Sequence, residues 1–129
     1  MSVGRLLVVD DEPDFGEFVR KVAVDMDYEV TVTKNGRDFK AAYPDCNPTV
    51  LVLDIIIPYT DGMELMTWLA ERNCTAKVIV ATGYTGKYGG MAANLGEASG
   101  LSMVTVLNKP VSIGQLRSAL SEEAQTPES

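Results

Sequence analysis

Histidine is missing from the 129 residues, and cysteine occurs only at positions 46 and 74. Without imidazole there is neither a histidine general base nor a zinc site of the usual histidine–cysteine kind. Cys46 and Cys74 show no C-x-x-C or metal-ligand spacing, so two reduced, structural thiols are expected. Positive charge is also scarce: 11 basic residues stand against 18 acidic ones, net charge −7, and no basic run exceeds Arg20-Lys21. That leaves no electrostatic footprint for direct nucleic-acid binding. No apolar run approaches the ~20 residues that span a bilayer, and Met1-Ser2-Val3-Gly4-Arg5 leads into a short strand pattern without a leader. The expectation is a cytoplasmic protein with no membrane insertion.

What is present is a regular alternation. Apolar runs at Leu6–Val9, Thr49–Leu53, Val78–Ala81 and Val104–Leu107, with the β-branched segment Tyr28–Thr33, read as five strands. Between them, Phe15, Phe18, Val19, Val22 and Met26 recur at helical spacing behind Pro13. Asn35-Gly36 turns into a short helix carrying Phe39, Ala42 and Tyr43, with Pro44 and Pro48 bracketing its exit. Asp61 and Glu64 form a capping-box pattern ahead of Leu65, Met66 and Leu69. Ser112 and Gln115 repeat it ahead of a stripe of Ile113, Leu116 and Leu120. A fourth helix is expected near 88–98, weakened because six of the 11 glycines fall at 83, 86, 89, 90, 96 and 100, each interior one costing about 1 kcal/mol relative to alanine. The third strand is apolar on both faces, as in a parallel sheet covered on each side. One α/β domain over residues 1–121 and a flexible polar tail over 122–129 follow.

The strand ends carry the chemistry. Asp10 and Asp11 follow the first strand, Asp54 the third, Thr82 the fourth and Lys109 the fifth. Carboxyl ends of parallel strands converge, so these groups share one crevice. Singly, each has an ordinary explanation as a turn, a helix-start acid or a solvated charge; four suitable strand ends together do not. Three crowded carboxylates call for a cation, and an all-oxygen set favours Mg²⁺. A cation and a lysine then welcome an anion. A phosphoryl group suits them, shared with the Thr82 hydroxyl while the Asp54 carboxylate attacks phosphorus and forms an acyl phosphate.

Val-Val-Asp-Asp-Glu-Pro at 8–13, Leu-Asp-Ile-Ile-Ile-Pro-Tyr-Thr-Asp-Gly at 53–62, Ala-Thr-Gly at 81–83 and Leu-Asn-Lys-Pro at 107–110 resemble the response-regulator receiver domains of two-component signalling, the CheY-like group. The resemblance covers nearly the whole chain in order and spacing. It implies a flavodoxin-like doubly wound (βα)5 fold with a five-stranded parallel sheet of order 2-1-3-4-5. It implies Asp54 as phosphoacceptor, and Asp10, Asp11, Asp54 and the Ile56 carbonyl as Mg²⁺ ligands. Thr82, Gly83 and Lys109 match the phosphoryl-binding switch, and the Lys109–Pro110 bond is expected to be cis. The implied partners are a histidine kinase or histidine phosphotransfer protein and an unknown downstream protein. No enzyme activity is expected beyond self-phosphorylation from donors and self-dephosphorylation.

The pattern is broken at Val106, where such receivers usually carry an aromatic ring that follows the threonine. Ile56 and Tyr84 occupy the positions that modulate dephosphorylation; isoleucine donates no hydrogen bond and tyrosine is bulky, so slow loss of the phosphoryl group is expected. The long 83–107 stretch bears a weaker similarity to receivers fused to EAL-type output domains. Two competing functions follow: an adaptor on the same fold that ignores phosphorylation, and a flavodoxin-like electron carrier. The Asp10-Asp11-Glu12 acids would repel a flavin phosphate, which speaks against the latter.

Overall fold

The computed structural model describes residues 4–54, 62–72, 74–82 and 104–121. The strands are β1 (Gly4–Val9), β2 (Tyr28–Thr33), β3 (Val50–Leu53), β4 (Lys77–Thr82) and β5 (Val104–Asn108). The helices are α1 (Pro13–Asp25), α2 (Gly36–Cys46), α3 (Gly62–Glu71) and α4 (Ile113–Ser121). All pairings are parallel, in the order β2-β1-β3-β4-β5. This is the flavodoxin-like doubly wound sheet, with its order reversing between β1 and β3. The helix expected near 88–98, the tail 122–129, Asp61, Ile56, Gly83 and Tyr84 lie outside the described residues.

The two-residue period of the strands divides the core in two. Leu7, Val9, Leu51, Leu53, Val78 and Val80 face Phe39, Leu65, Met66 and Leu69 of α2 and α3. Leu6, Val8, Val50, Val52, Ile79 and Ala81 face Val19, Val22, Ala23, Leu116, Ala119 and Leu120 of α1 and α4. β3 is therefore apolar throughout, and β1 and β4 are apolar along their central runs, because each face meets a helix layer.

Local signals account for several helix ends. Pro13 opens α1 at a position that needs no amide donor. Asn35 caps α2 by accepting the Asp38 amide at 2.8 Å, and Asn47 closes it in the left-handed region at φ 45°. Before α4, Ser112 Oγ accepts the Gln115 amide at 3.0 Å while Gln115 Oε1 accepts the Ser112 amide at 2.9 Å, the expected capping box.

Pro44 in the last turn of α2 and Pro48 beyond it bracket the helix exit as expected, with α2 running to Cys46 and the Asn47 amide reaching the Tyr43 carbonyl at 2.9 Å. Two expectations need correction. Ile113 is 57% exposed and Ala119 takes its place in the buried stripe. Helical side chains lean toward the N-terminus, so that of the first residue projects past the helix start. Phe15, Phe18 and Met26 are half-buried along the margin of the core, whose α1 contribution comes from Gly16, Val19, Val22 and Ala23.

At the pole where the strands begin, two side chains hold the end of α4. Tyr28 Oη donates to the Leu120 carbonyl at 2.8 Å, and the fully buried Lys77 Nζ donates to the Ala119 carbonyl. They satisfy carbonyls that the last helical turn leaves without an internal partner.

Candidate functional site

At the opposite pole, the carboxyl ends of β1 and β3 carry Asp10 and Asp54. Their backbones are tied to neighbouring strand ends: the Asp10 amide bonds the Thr33 carbonyl, and the Asp54 amide the Val9 carbonyl, each at 3.1 Å. Both residues are buried, Asp10 at 1% exposure and Asp54 at 7%, whereas Asp11 faces solvent. One carboxylate oxygen of each lies within 4.8 Å of the others. Three hard oxygen donors at bridging distance, two dry and one open to water, fit a magnesium-type cation.

Lys109 follows β5 and enters the same crevice. Its ammonium donates to Asp10 Oδ2 and Glu12 Oε1, both at 2.8 Å, and lies 3.4 Å from Asp54 Oδ2. It also sits 4.5 Å from the centre of the Phe15 ring. Burial opposes the Lys109 charge, but the hydrogen bonds to Asp10 and Glu12 and the charges of Asp10 and Asp54 outweigh it, so its pKa is raised. Burial raises the Asp10 pKa despite the opposing contacts of Lys109 and the Glu12 amide, which Asp10 Oδ1 accepts at 2.9 Å. The site thus holds two buried carboxylates beside one committed cation.

The fold brings together Asp10, Asp11, Asp54 and Lys109. Thr82 ends β4 one strand beyond β3, with Asn108 as its register partner across to β5. Val106 is half-buried against the α2–α3 side of the core, and Pro110 is exposed after a cis bond from Lys109. Sequence reading missed Glu12 and Phe15 as partners of the lysine. The signal was present in Asp-Asp-Glu-Pro, whose third acid begins the turn of chain that meets the fifth strand's exit.

An open groove of about 740 Å³ adjoins the crevice between the start of α1 and the β5–α4 loop. Phe15, Phe18 and Val111 form part of its wall. Among the described residues, no helix is long and apolar enough to cross a membrane.

Known proteins align with this arrangement. The chemotaxis protein CheY of Listeria monocytogenes is 30% identical over 79 residues, covering 60% of this chain and 66% of that protein. The transcriptional regulatory protein TrcR of Mycobacterium tuberculosis is 32% identical over 78 residues, covering 60% of this chain but 30% of TrcR. These matches thus span less than two thirds of either relative. Among solved structures, the receiver domain of Francisella response regulator 1452 superposes with a TM-score of 0.72 at 26% identity, covering 88% of this chain and 89% of that one. Vibrio cholerae CheY4 superposes with a TM-score of 0.79 at 22% identity over 92% of this chain and 97% of its own, a likeness of fold. The family model described as the response regulator receiver domain matches residues 6–121, from within β1 to the end of α4 and across the acidic crevice, and the chain belongs to that family.

Proposed function

We propose that the chain is a phosphorylation-switched receiver that takes a phosphoryl group on Asp54 from a histidine kinase or histidine phosphotransfer protein and thereby alters its affinity for a downstream protein. The observation that carries this reading is the juxtaposition of Asp10, Asp11 and Asp54 with an ammonium already touching two of them. An Asp54 oxygen attacks phosphorus, the bond from phosphorus to the donor nitrogen or oxygen breaks, and the leaving group departs with that electron pair. Lys109 offsets negative charge on the arriving group, and the buried walls around Asp10 and Asp54 strengthen that attraction. Asp10, Asp11 and Asp54 would hold Mg²⁺, with the Ile56 carbonyl the ligand suggested by sequence. When bound, the cation supplies charge neutralisation among the carboxylates and the phosphoryl oxygens. Thr82 and Gly83 complete the phosphoryl contacts in this reading.

Incubation with Mg²⁺ and acetyl phosphate, followed by intact-mass measurement, should show one added phosphoryl group, lost on chelation of the metal and absent in Asp54→Asn. Lys109→Met should slow the reaction about a hundredfold, the scale for losing one electrostatic donor at a reacting anion. Wild-type labelling of Asp54→Asn would refute the nucleophile assignment. An unlabelled wild-type protein would favour the adaptor reading, which the valine at 106 makes worth keeping.

A further inference from the structure

Lys109 is held by more than the crevice. Besides Asp10, its ammonium is bonded at equal distance to Glu12, whose side chain is 62% exposed at the start of α1, while Asp54 lies farther away. Glu12 takes no part in capping α1 with its side chain, so that carboxylate is committed to the lysine and not to the helix. The Phe15 ring of α1, its centre 4.5 Å from the ammonium, adds a cation–π contact to the same helix. Two attractions from the start of α1 therefore compete with Asp54, whose Oδ2 lies 3.4 Å from the ammonium, for the same lysine.

Resting on the phosphoacceptor reading above, we propose that Glu12 is a positioning residue that restrains Lys109 on the α1 side of the crevice and so slows modification of Asp54. Attack on phosphorus needs the ammonium beside the incoming oxygens, and the equilibrium between the two lysine positions is biased by the differential contacts made in each. Removing the Glu12 contact shifts that equilibrium toward Asp54 before any donor arrives.

The discriminating variants separate contact from charge. Glu12→Gln removes the ion pair. Glu12→Asp keeps the charge but withdraws the carboxylate by one methylene. Asp14→Asn removes a neighbouring exposed acid that shares the α1 start. Rates of Asp54 modification by acetyl phosphate with saturating Mg²⁺, followed by intact mass, should rise about threefold in both Glu12 variants, the scale of a partly exposed ion pair, and stay at the wild-type value in Asp14→Asn. A wild-type rate in Glu12→Gln overturns the proposal. So does an acceleration in Glu12→Gln and Asp14→Asn with none in Glu12→Asp, because that pattern reports a general field on an anionic donor. Failure of the underlying reading looks different: the wild-type protein itself would then remain unmodified.

Discussion

Cys46 and Cys74 are both unpaired thiols, the first half-buried and the second buried. Burial raises the Cys46 pKa, and the opposing Thr31 hydrogen bond and Arg5 charge do not cancel it. Only the thiolate alkylates, so less of the reactive form exists at any given pH. Iodoacetamide should modify Cys46 more slowly than a free cysteine at pH 8, with its half-maximal rate above the ordinary pKa of 9.0; a pH–rate profile centred at or below that value would contradict this. At this scale the sequence was informative wherever a residue's role depends on its strand position. Asp10 and Asp54 end apolar runs, and their burial followed from the sheet. Glu12 and Lys77 were not legible in that way. Their partners, Lys109 and the Ala119 carbonyl, are distant in the chain and are reached by flexible side chains whose destination depends on packing. Lys77 opens β4 as a residue type that is seldom buried, yet it is among the most buried side chains.

Among the elements, α1 shows how a helix can be written against its own propensity. Gly16 costs the helix about 1 kcal/mol relative to alanine, but a Cβ there would come within 2.9 Å of Val32 Cγ1 on β2. Valine is stiff at χ1, so its methyl cannot easily turn away. Gly16→Ala should therefore lower stability in urea unfolding by about 1 kcal/mol net, overpacking of ~1–3 kcal/mol exceeding the propensity gain; a stabilised variant would show that α1 can slide outward at no cost. Strand identity was readable from β3 and β4, whose apolar runs are buried on both faces. Helix ends were readable where a capping pair is present, as with Ser112 and Gln115. The pair Pro44 and Pro48 marked the exit of α2, which ends at Cys46 between them. Ile113 misled because periodicity assigns a face without saying where the sheet beneath it stops.

For the molecule as a whole, the doubly wound topology gathers the acidic crevice at one pole. Val106 has no ring to rotate, so the coupling in the phosphoacceptor reading passes through backbone shifts after Thr82, in the glycine-rich 83–100 stretch. Beryllofluoride with Mg²⁺, a mimic of the phosphorylated aspartate, should slow amide exchange chiefly over residues 83–100 and 104–109, with a coupling of about 1–3 kcal/mol. Protection confined to residues near Asp10, Asp54 and Lys109 would favour the adaptor reading. The pole where the strands begin has a different use. Tyr28 and Lys77 anchor the final helical turn there, and the length of β4 separates that anchor from the crevice by roughly 16 Å. A fluorophore or surface tether placed just past residue 121 would thus hang from the molecule's far side, leaving the acidic mouth facing outward like a sensor mounted by its base.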